Sequence, residues 1–369
     1  MKFKSITARN KRTGWNVKNI QFNSMLTLLV GASGVGKTKI LNIIKTLTKI
    51  ANGESFNGLA WKVEFEQEGI DYVWEGEFDT KEEIQQSFLD DKESKYKIVR
   101  ERIFEKDSLL VDRSSQTLTY KNQDLIKLDN TQSVVELLKA EPSIKPIYEG
   151  FNRCYNLDTA DNSVKIAISS LTNDKLSNSV LVNNSLLSPM ERLFLLYKNN
   201  DKLFDLVLST FQSIFPNVEK LGFSLKKGII SAYSLLVLRI KEKNVSSWIE
   251  QPDISSGMMR TLIQIITLVL ANDGDIFMID EFENGLGVNC INELADLVME
   301  PEANIQVVMT SHHPYIINAI PVKNWKILTR NGSDVHVQTA EELHIGEHSK
   351  HEAFMQLLQT PEYKTGTRN

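Results

Sequence analysis

The sequence predicts an α/β fold: a mixed sheet carrying a phosphate-binding loop, with an antiparallel β subdomain and an inserted helical lobe. Three observations carry that expectation. First, the short apolar run Met25–Val30 leads directly into Gly31-Ala32-Ser33-Gly34-Val35-Gly36-Lys37-Thr38, which fits G-x-x-x-x-G-K-[ST] at every fixed position. Ile40, Leu41, Ile43, Ile44, Leu47 and Ile50 then recur at helical spacing. Second, a later apolar strand, Asp275–Ile279, ends in the carboxylate pair Asp280 and Glu281. Third, the stretch between them begins with alternating β-like segments and continues into helical ones.

The glycines sit where a strand turns into a helix. Backbone N–H groups there converge on a β-phosphate while the new helix presents its positive end. Lys37 reaches the β- and γ-phosphates and the Thr38 hydroxyl ligates Mg2+, so Gly31 to Thr38 are the expected nucleotide cradle.

Bulk composition narrows the class. The chain has 369 residues, 41% of them hydrophobic and 24% charged, enough for one large domain or two ordinary ones with a sizeable core. A formal net charge of −5 argues against a generally basic, nucleic-acid-coated surface and leaves a local basic groove, and hence DNA, open. Cys154 and Cys290 stand far apart and outside any metal-ligand pattern, which points to a reducing compartment and a cytoplasmic protein. No apolar run reaches the ~18 residues of a membrane span, and Met1-Lys2-Phe3-Lys4 opens a strand instead of a signal peptide. No membrane contact by the chain itself is expected, and membrane association through a partner stays open.

In chain order, Phe3–Arg9 and Trp15–Phe22 read as strands that precede the loop strand. Trp15, Arg12 and Lys11 are candidates for contact with a base, although a Trp packed for its area is the commoner outcome. Leu59–Glu66, Asp71–Phe78, Tyr96–Glu105, Ser108–Val111 and Thr117–Lys121 suggest an antiparallel meander, interrupted by the charged run Asp79–Lys97, a solvated loop or exposed helix. Thr131–Ala140 is helical, Pro142 and Pro146 punctuate it, and Asp158–Asn184 is rich in Ser and Asn. Ser188-Pro189-Met190-Glu191 opens a helix with a capping serine, a first-position proline and a glutamate three residues after the cap. Helices run to about Phe215. A hairpin follows, Leu221–Leu225 and Ile229–Ile240 about a turn at Lys226-Lys227-Gly228. No heptads persist, so a long coiled-coil arm is not expected.

Asp280, at the end of a buried parallel strand, is suited to the Mg2+ shell, and Glu281 to polarising an attacking water. Before that strand, Ser255 and Gly257 lie in Ile254-Ser255-Ser256-Gly257-Met258-Met259-Arg260 at the start of the apolar helix Thr261–Ala271, an anion site by the same dipole logic. After it, Ile305–Met309 is another buried strand, ending at Thr310-Ser311-His312-His313-Pro314. A histidine at such a strand end can hydrogen-bond a γ-phosphate.

The order of these four elements closely resembles the ABC-type P-loop ATPase head used by the SMC, RecF and OLD families. In that resemblance Gly31–Thr38 is the Walker A motif, Ser255–Arg260 the signature, Ile276–Glu281 the Walker B motif, Glu283–Leu286 the D-loop region and His312 the switch histidine. It implies ATP and Mg2+, with Lys37, Glu281 and His312 catalytic and Thr38 and Asp280 on the metal. It also implies a homodimer in which Ser255 and Gly257 face the ATP of the other head. The signature departs from the transporter form Leu-Ser-Gly-Gly-Gln, which favours the OLD-like and other non-transporter branches, and Phe282 stands where many members carry proline, a conservative packing change. The Q-loop glutamine stays open among Gln116, Gln123 and Gln132. About 217 residues separate Thr38 from Ser255, which suggests an inserted lobe.

The expected organisation is therefore 1–130 and 216–335 as two halves of the head, 131–215 as a helical lobe, and 336–369 as a tail suited to docking a partner. Pro321–Asn369 is too short for the nuclease domain that follows the head in OLD proteins, so no nuclease activity is expected here. His344, His348 and His351 with Glu341, Glu342 and Glu347 read as a solvated polar segment, because Gly346 interrupts any shared helix face. Short heads of this AAA/ABC kind resemble ATPase subunits of bacterial anti-phage systems, which implies a separate nuclease or toxin effector. A RecF- or SMC-like maintenance ATPase, or an ATP-binding scaffold with little turnover, are the alternative readings.

Overall fold

The computed structural model describes residues 1–81, 95–125, 129–157, 166–167, 187–227, 234–346 and 349–367. In chain order the elements begin with β1 (Lys2–Asn10), β2 (Asn16–Gln21), β3 (Leu26–Val30) and α1 (Lys37–Ala51). Next come β4 (Leu59–Gln67), β5 (Ile70–Phe78), β6 (Ile98–Glu105), β7 (Ser108–Ser114), β8 (Leu118–Tyr120), β9 (Gln123–Asp124), α2 (Val134–Leu137), α3 (Lys145–Phe151) and β10 (Cys154–Asn156). The middle holds β11 (Ile166–Ala167), α4 (Pro189–Lys198), α5 (Lys202–Ile214), β12 (Val218–Lys227), β13 (Ser234–Glu242), β14 (Ile249–Glu250) and α6 (Ser256–Val269). The last part holds β15 (Ile276–Ile279), α7 (Val288–Met299), β16 (Gln306–Thr310), α8 (Pro314–Ala319), β17 (Trp325–Asn331), β18 (Asp334–Thr339), α9 (Lys350–Gln359) and α10 (Pro361–Thr365). Most of the charged run 79–97, the Ser/Asn-rich stretch 158–184 and the turn at Gly228 lie outside the described residues.

Two compact units interleave in sequence: Met1–Asn156, Gly274–Phe282 and Ile305–Asn369 form the first, Leu157–Asp273 and Glu283–Asn304 the second. The first is built on one mixed sheet in the order β10-β15-β16-β3-β17-β18-β2-β1-β4-β5-β6-β7-β8-β9. From β10 to β17 neighbouring strands are parallel. β3, β15 and β16 are buried at every position, as strands covered on both faces must be. From β1 through β9 the pairing is antiparallel, and strands such as β4 alternate buried and partly exposed positions, the period-2 signature of a half-covered sheet.

The apolar face of α1, with Ile40, Leu41, Ile44 and Leu47, joins a core that continues into Phe65, Trp74 and Phe151. Trp74 and Phe151 meet edge to face at 5.0 Å. Val134–Asn156 belongs to the first unit. Ile147 and Phe151 of α3 sink into that core, and the start of α2 is tied to the sheet by a buried carboxylate, Glu101 of β6. Glu101 accepts from the Trp74 indole N–H at 2.9 Å, the Val134 amide at 2.9 Å and the Ser133 hydroxyl, with the Arg113 guanidinium 3.6 Å away. β18 also pairs with β17 and β2, so residues 334–339 are part of the sheet.

The second unit has a small antiparallel sheet, β11-β13-β12 with β14 on β13, and helices α4 to α7. α4 opens with the reciprocal cap that its sequence announces: Ser188 Oγ accepts the Glu191 amide and the Glu191 carboxylate accepts the Ser188 amide. The helices turn Leu193, Leu196, Val207, Phe211, Leu262, Ile266 and Leu294 inward. Among the described residues no helix is long and apolar enough to cross a membrane.

Candidate nucleotide site

β3 pairs in parallel with β16 on one side and β17 on the other, so its C-terminal end emerges between two neighbouring strand ends. The loop leaves from there. Gly31 has φ 148°, and a Cβ on it would fall 2.6 Å from the Leu328 carbonyl oxygen, so only glycine lets the chain turn this close to β17. Gly34 and Gly36 also have positive φ, 83° and 111°. α1 then begins at Lys37 with Gly36 as its cap, no side-chain cap bond and no carboxylate in the first turn. A helix start of this kind offers its N–H groups and positive dipole end to an anion. Lys37 is only 6% exposed, and its ammonium donates to the carbonyls of Gly31 at 2.8 Å and Ala32 at 3.0 Å. Ser33 and Thr38 are exposed.

Two strands carry the other half. β15 ends at half-buried Asp280 and exposed Glu281, and β16 ends at buried Thr310. Thr310 Oγ1 donates to Asp280 Oδ1 at 2.6 Å and accepts the Glu281 amide at 2.7 Å. The Thr310 carbonyl accepts the Phe282 amide at 3.0 Å. Glu281 has φ 46°, in the left-handed region. His312 is exposed two residues beyond β16, next to buried Ser311. The first unit thus gathers Gly31–Thr38, Asp280, Glu281 and His312 at the C-terminal ends of three adjacent parallel strands, where ligands of open α/β sheets bind.

Ser255 and Gly257 fall in the second unit, at the start of α6. Ser255 is exposed and its Oγ accepts the Met258 amide at 3.3 Å. A Cβ on Gly257 would lie 3.2 Å from the Gly285 carbonyl oxygen, so the signature stretch and the loop after Phe282 meet backbone to backbone.

Sequence reasoning missed three residues here. Gln116 and Gln132 lie in loops and Gln123 on β9, all at the antiparallel end of the sheet; the residue at the strand end beside β15 is exposed Asn156. Its three-residue strand is too short to leave a periodic signal. Thr310 was hidden behind the neighbouring histidines. Gly366 (φ 69°) rests on the phosphate loop: a Cβ there would lie 2.5 Å from Val35 Cγ1 and 3.1 Å from Ala32 Cβ. Its carbonyl accepts the Arg330 amide at 2.7 Å, and the Arg330 guanidinium donates to the Gly34 carbonyl at 3.3 Å.

Trp15 is buried, with the Lys39 ammonium 5.4 Å from its ring centroid, which fits the packed reading of this side chain. Glu341, Glu342, His344 and His351 are exposed, while Glu347 and His348 lie outside the described residues. Among the described residues no cluster of three His, Cys, Asp or Glu side chains could hold a metal.

No curated protein matches the chain. Among solved structures it is similar to an SMC head bound to the C-winged helix domain of ScpA, at 12% identity over 93% of this chain and 99% of that one (TM-score 0.49). The SMC head domain from Thermotoga maritima is 12% identical over 92% and 99% (0.43). An SMC head with an extended coiled coil bound to the C-terminal domain of ScpA, from Pyrococcus furiosus, is 12% identical over 93% and 98% (0.44). The family described as "AAA domain, putative AbiEii toxin, Type IV TA system" matches residues 26–318, well over half of the chain and all of the phosphate loop, Asp280, Glu281 and His312. The chain belongs to that family, and its α/β fold with a phosphate loop after β3 is that of a P-loop ATPase.

Proposed function

We propose that the chain is a Mg-ATP-dependent ATPase that closes as a homodimer and uses its cycle to control a separate effector. The observation that carries this reading is the start of α1: a helix terminus with no side-chain cap bond and no carboxylate in its first turn, reached through positive-φ glycines and covered by the Lys37 ammonium. A cradle of that shape and charge fits a triphosphate. On binding, Lys37 exchanges its two loop carbonyls for phosphate oxygens, and the backbone N–H groups of 34–38 take the rest. Thr38 and Asp280 are the residues to hold Mg2+, which when bound neutralises charge on the phosphate oxygens. Glu281 accepts the proton of the attacking water, and His312 donates to the γ-phosphate side. Ser255 and Gly257, on the exposed start of α6, serve the ATP of the second copy. The family's description joins this domain to a toxin and a toxin–antitoxin system, which supports a toxin or nuclease as the effector and a role in anti-phage defence.

The test is the mass of the Glu281→Gln protein by light scattering with and without Mg-ATP. An ATP-dependent doubling, lost in Glu281→Gln/Ser255→Arg, is the expected result, and Lys37→Ala should no longer bind a fluorescent ATP analogue. A mass indifferent to ATP removes the head-to-head closure, and analogue binding that survives Lys37→Ala removes the site itself.

A further inference from the structure

We infer that Thr310 is a positioning residue that holds Asp280 and Glu281 in their working arrangement, a role that rests on the proposed hydrolysis at this site. The argument begins with what each group can do. The Glu281 amide can only donate, so Thr310 Oγ1 must be the acceptor of their 2.7 Å contact. The hydroxyl proton is then committed to the other neighbour, Asp280 Oδ1 at 2.6 Å, and an ionised carboxylate can only accept it. One side chain therefore runs a directed chain, amide to hydroxyl to carboxylate, across two consecutive residues.

The backbone adds a second hold. Glu281 sits at φ 46°, a conformation that side-chain-bearing residues leave unless their surroundings over-determine it. The Thr310 hydroxyl takes the amide on one side of Glu281, and the Thr310 carbonyl takes the amide of buried Phe282 on the other at 3.0 Å. β16 thus clamps the turn that follows β15 through a single residue. Thr310 itself is fully buried, at the end of a strand buried at every position, so its side chain is held in place by the sheet around it. Serine could supply the same oxygen; valine would match the shape and supply none.

Steady-state hydrolysis, binding of a fluorescent ATP analogue and thermal melting, measured on the full chain for Thr310→Ser, Thr310→Ala, Thr310→Val and Glu281→Gln, separate this role from plain packing. Thr310→Ala and Thr310→Val are expected to lose on the order of 10–100-fold in kcat while analogue affinity stays within about threefold, the pattern of a misplaced catalytic group. Thr310→Ser should keep kcat within about threefold of the parent. The Ser and Ala variants differ by one hydroxyl, so that pair carries the test even if the valine variant does not fold. Equal losses in Ser and Ala would overturn the inference. So would parental kcat in Thr310→Ala beside an inactive Glu281→Gln, and in that case hydrolysis at Glu281 stands. Turnover that survives Glu281→Gln removes both the hydrolysis reading and the role of Thr310.

Discussion

The first unit treats its carboxylates in two ways. Glu101, in the antiparallel half, is wholly buried, and indole, hydroxyl, amide and guanidinium donors all face it. Burial pushes its carboxyl up from the ordinary range, against the pull of Ser133, Val134, Trp74 and Arg113. Glu281, at the end of the parallel half, is exposed and held in a left-handed backbone conformation. The first carboxylate ties a helix start to a sheet. The second is held in a conformation that costs about 1–2 kcal/mol, at a strand end where the proposed reading needs a carboxylate facing outward. On the proposed reading, the contrast separates a parallel end that serves the nucleotide from an antiparallel end that serves the fold.

The largest effect that would break this contrast is in turnover. Glu281→Gln should lower kcat by about 10²–10⁴-fold, the usual worth of a general base, and leave the thermal midpoint close to the parent. A large fall in melting temperature would place Glu281 in the same class as Glu101.

Glu101→Ala should do the opposite. Removing one partner from a buried charged cluster costs about 3 kcal/mol or more, read as a fall in the urea midpoint, with kcat per folded molecule unchanged. The sign of its pH dependence follows from the raised carboxyl. The proton-linked part of the stability from Glu101 is fully present below its ordinary value of 4.5 and is lost as pH rises through the higher folded value. Urea titrations from pH 4.5 upward should show that slope in the parent and not in Glu101→Ala.

A smaller effect tests whether the phosphate loop depends on its outer support. Gly366→Ala places a methyl against Val35 and Ala32 at a position with φ 69°, a strain of about 1–2 kcal/mol. The expected result is a modest loss of stability together with a severalfold higher half-saturating ATP concentration. Unchanged ATP dependence would mean that the loop holds its shape without the tail.

How much of this could be read from the sequence follows from the range of the forces involved. The loop and α1 were legible because one local pattern fixes strand, glycines and helix. β15 was legible as an unbroken apolar run, β16 from its apolar centre Val307–Met309, and β4 to β8 as alternation. The hold of Thr310 on Asp280 spans 30 residues and leaves no local trace. The contact of Gly366 with Val35 likewise depends on how β17 and α10 are placed, not on spacing. The interleaving of the units, with Val134–Asn156 in one and Glu283–Asn304 in the other, is a matter of which core each apolar face reaches.

The sharpest use of the comparison predicts a stability change of opposite sign. In Glu281→Gly the left-handed conformation no longer meets a Cβ, and the amide that donates to Thr310 is retained. Relief of about 1–2 kcal/mol is partly offset by the greater freedom of glycine in the unfolded chain, about 0.5–1 kcal/mol, so the variant should be as stable as the parent or up to about 1.5 kcal/mol more stable. It should also be inactive. Stability and turnover would then move apart at Glu281, whereas Glu101→Ala lowers stability alone. A Glu281→Gly protein that melts several degrees below the parent would mean that its carboxylate contributes to the fold, and the division between the two ends of the sheet would fail.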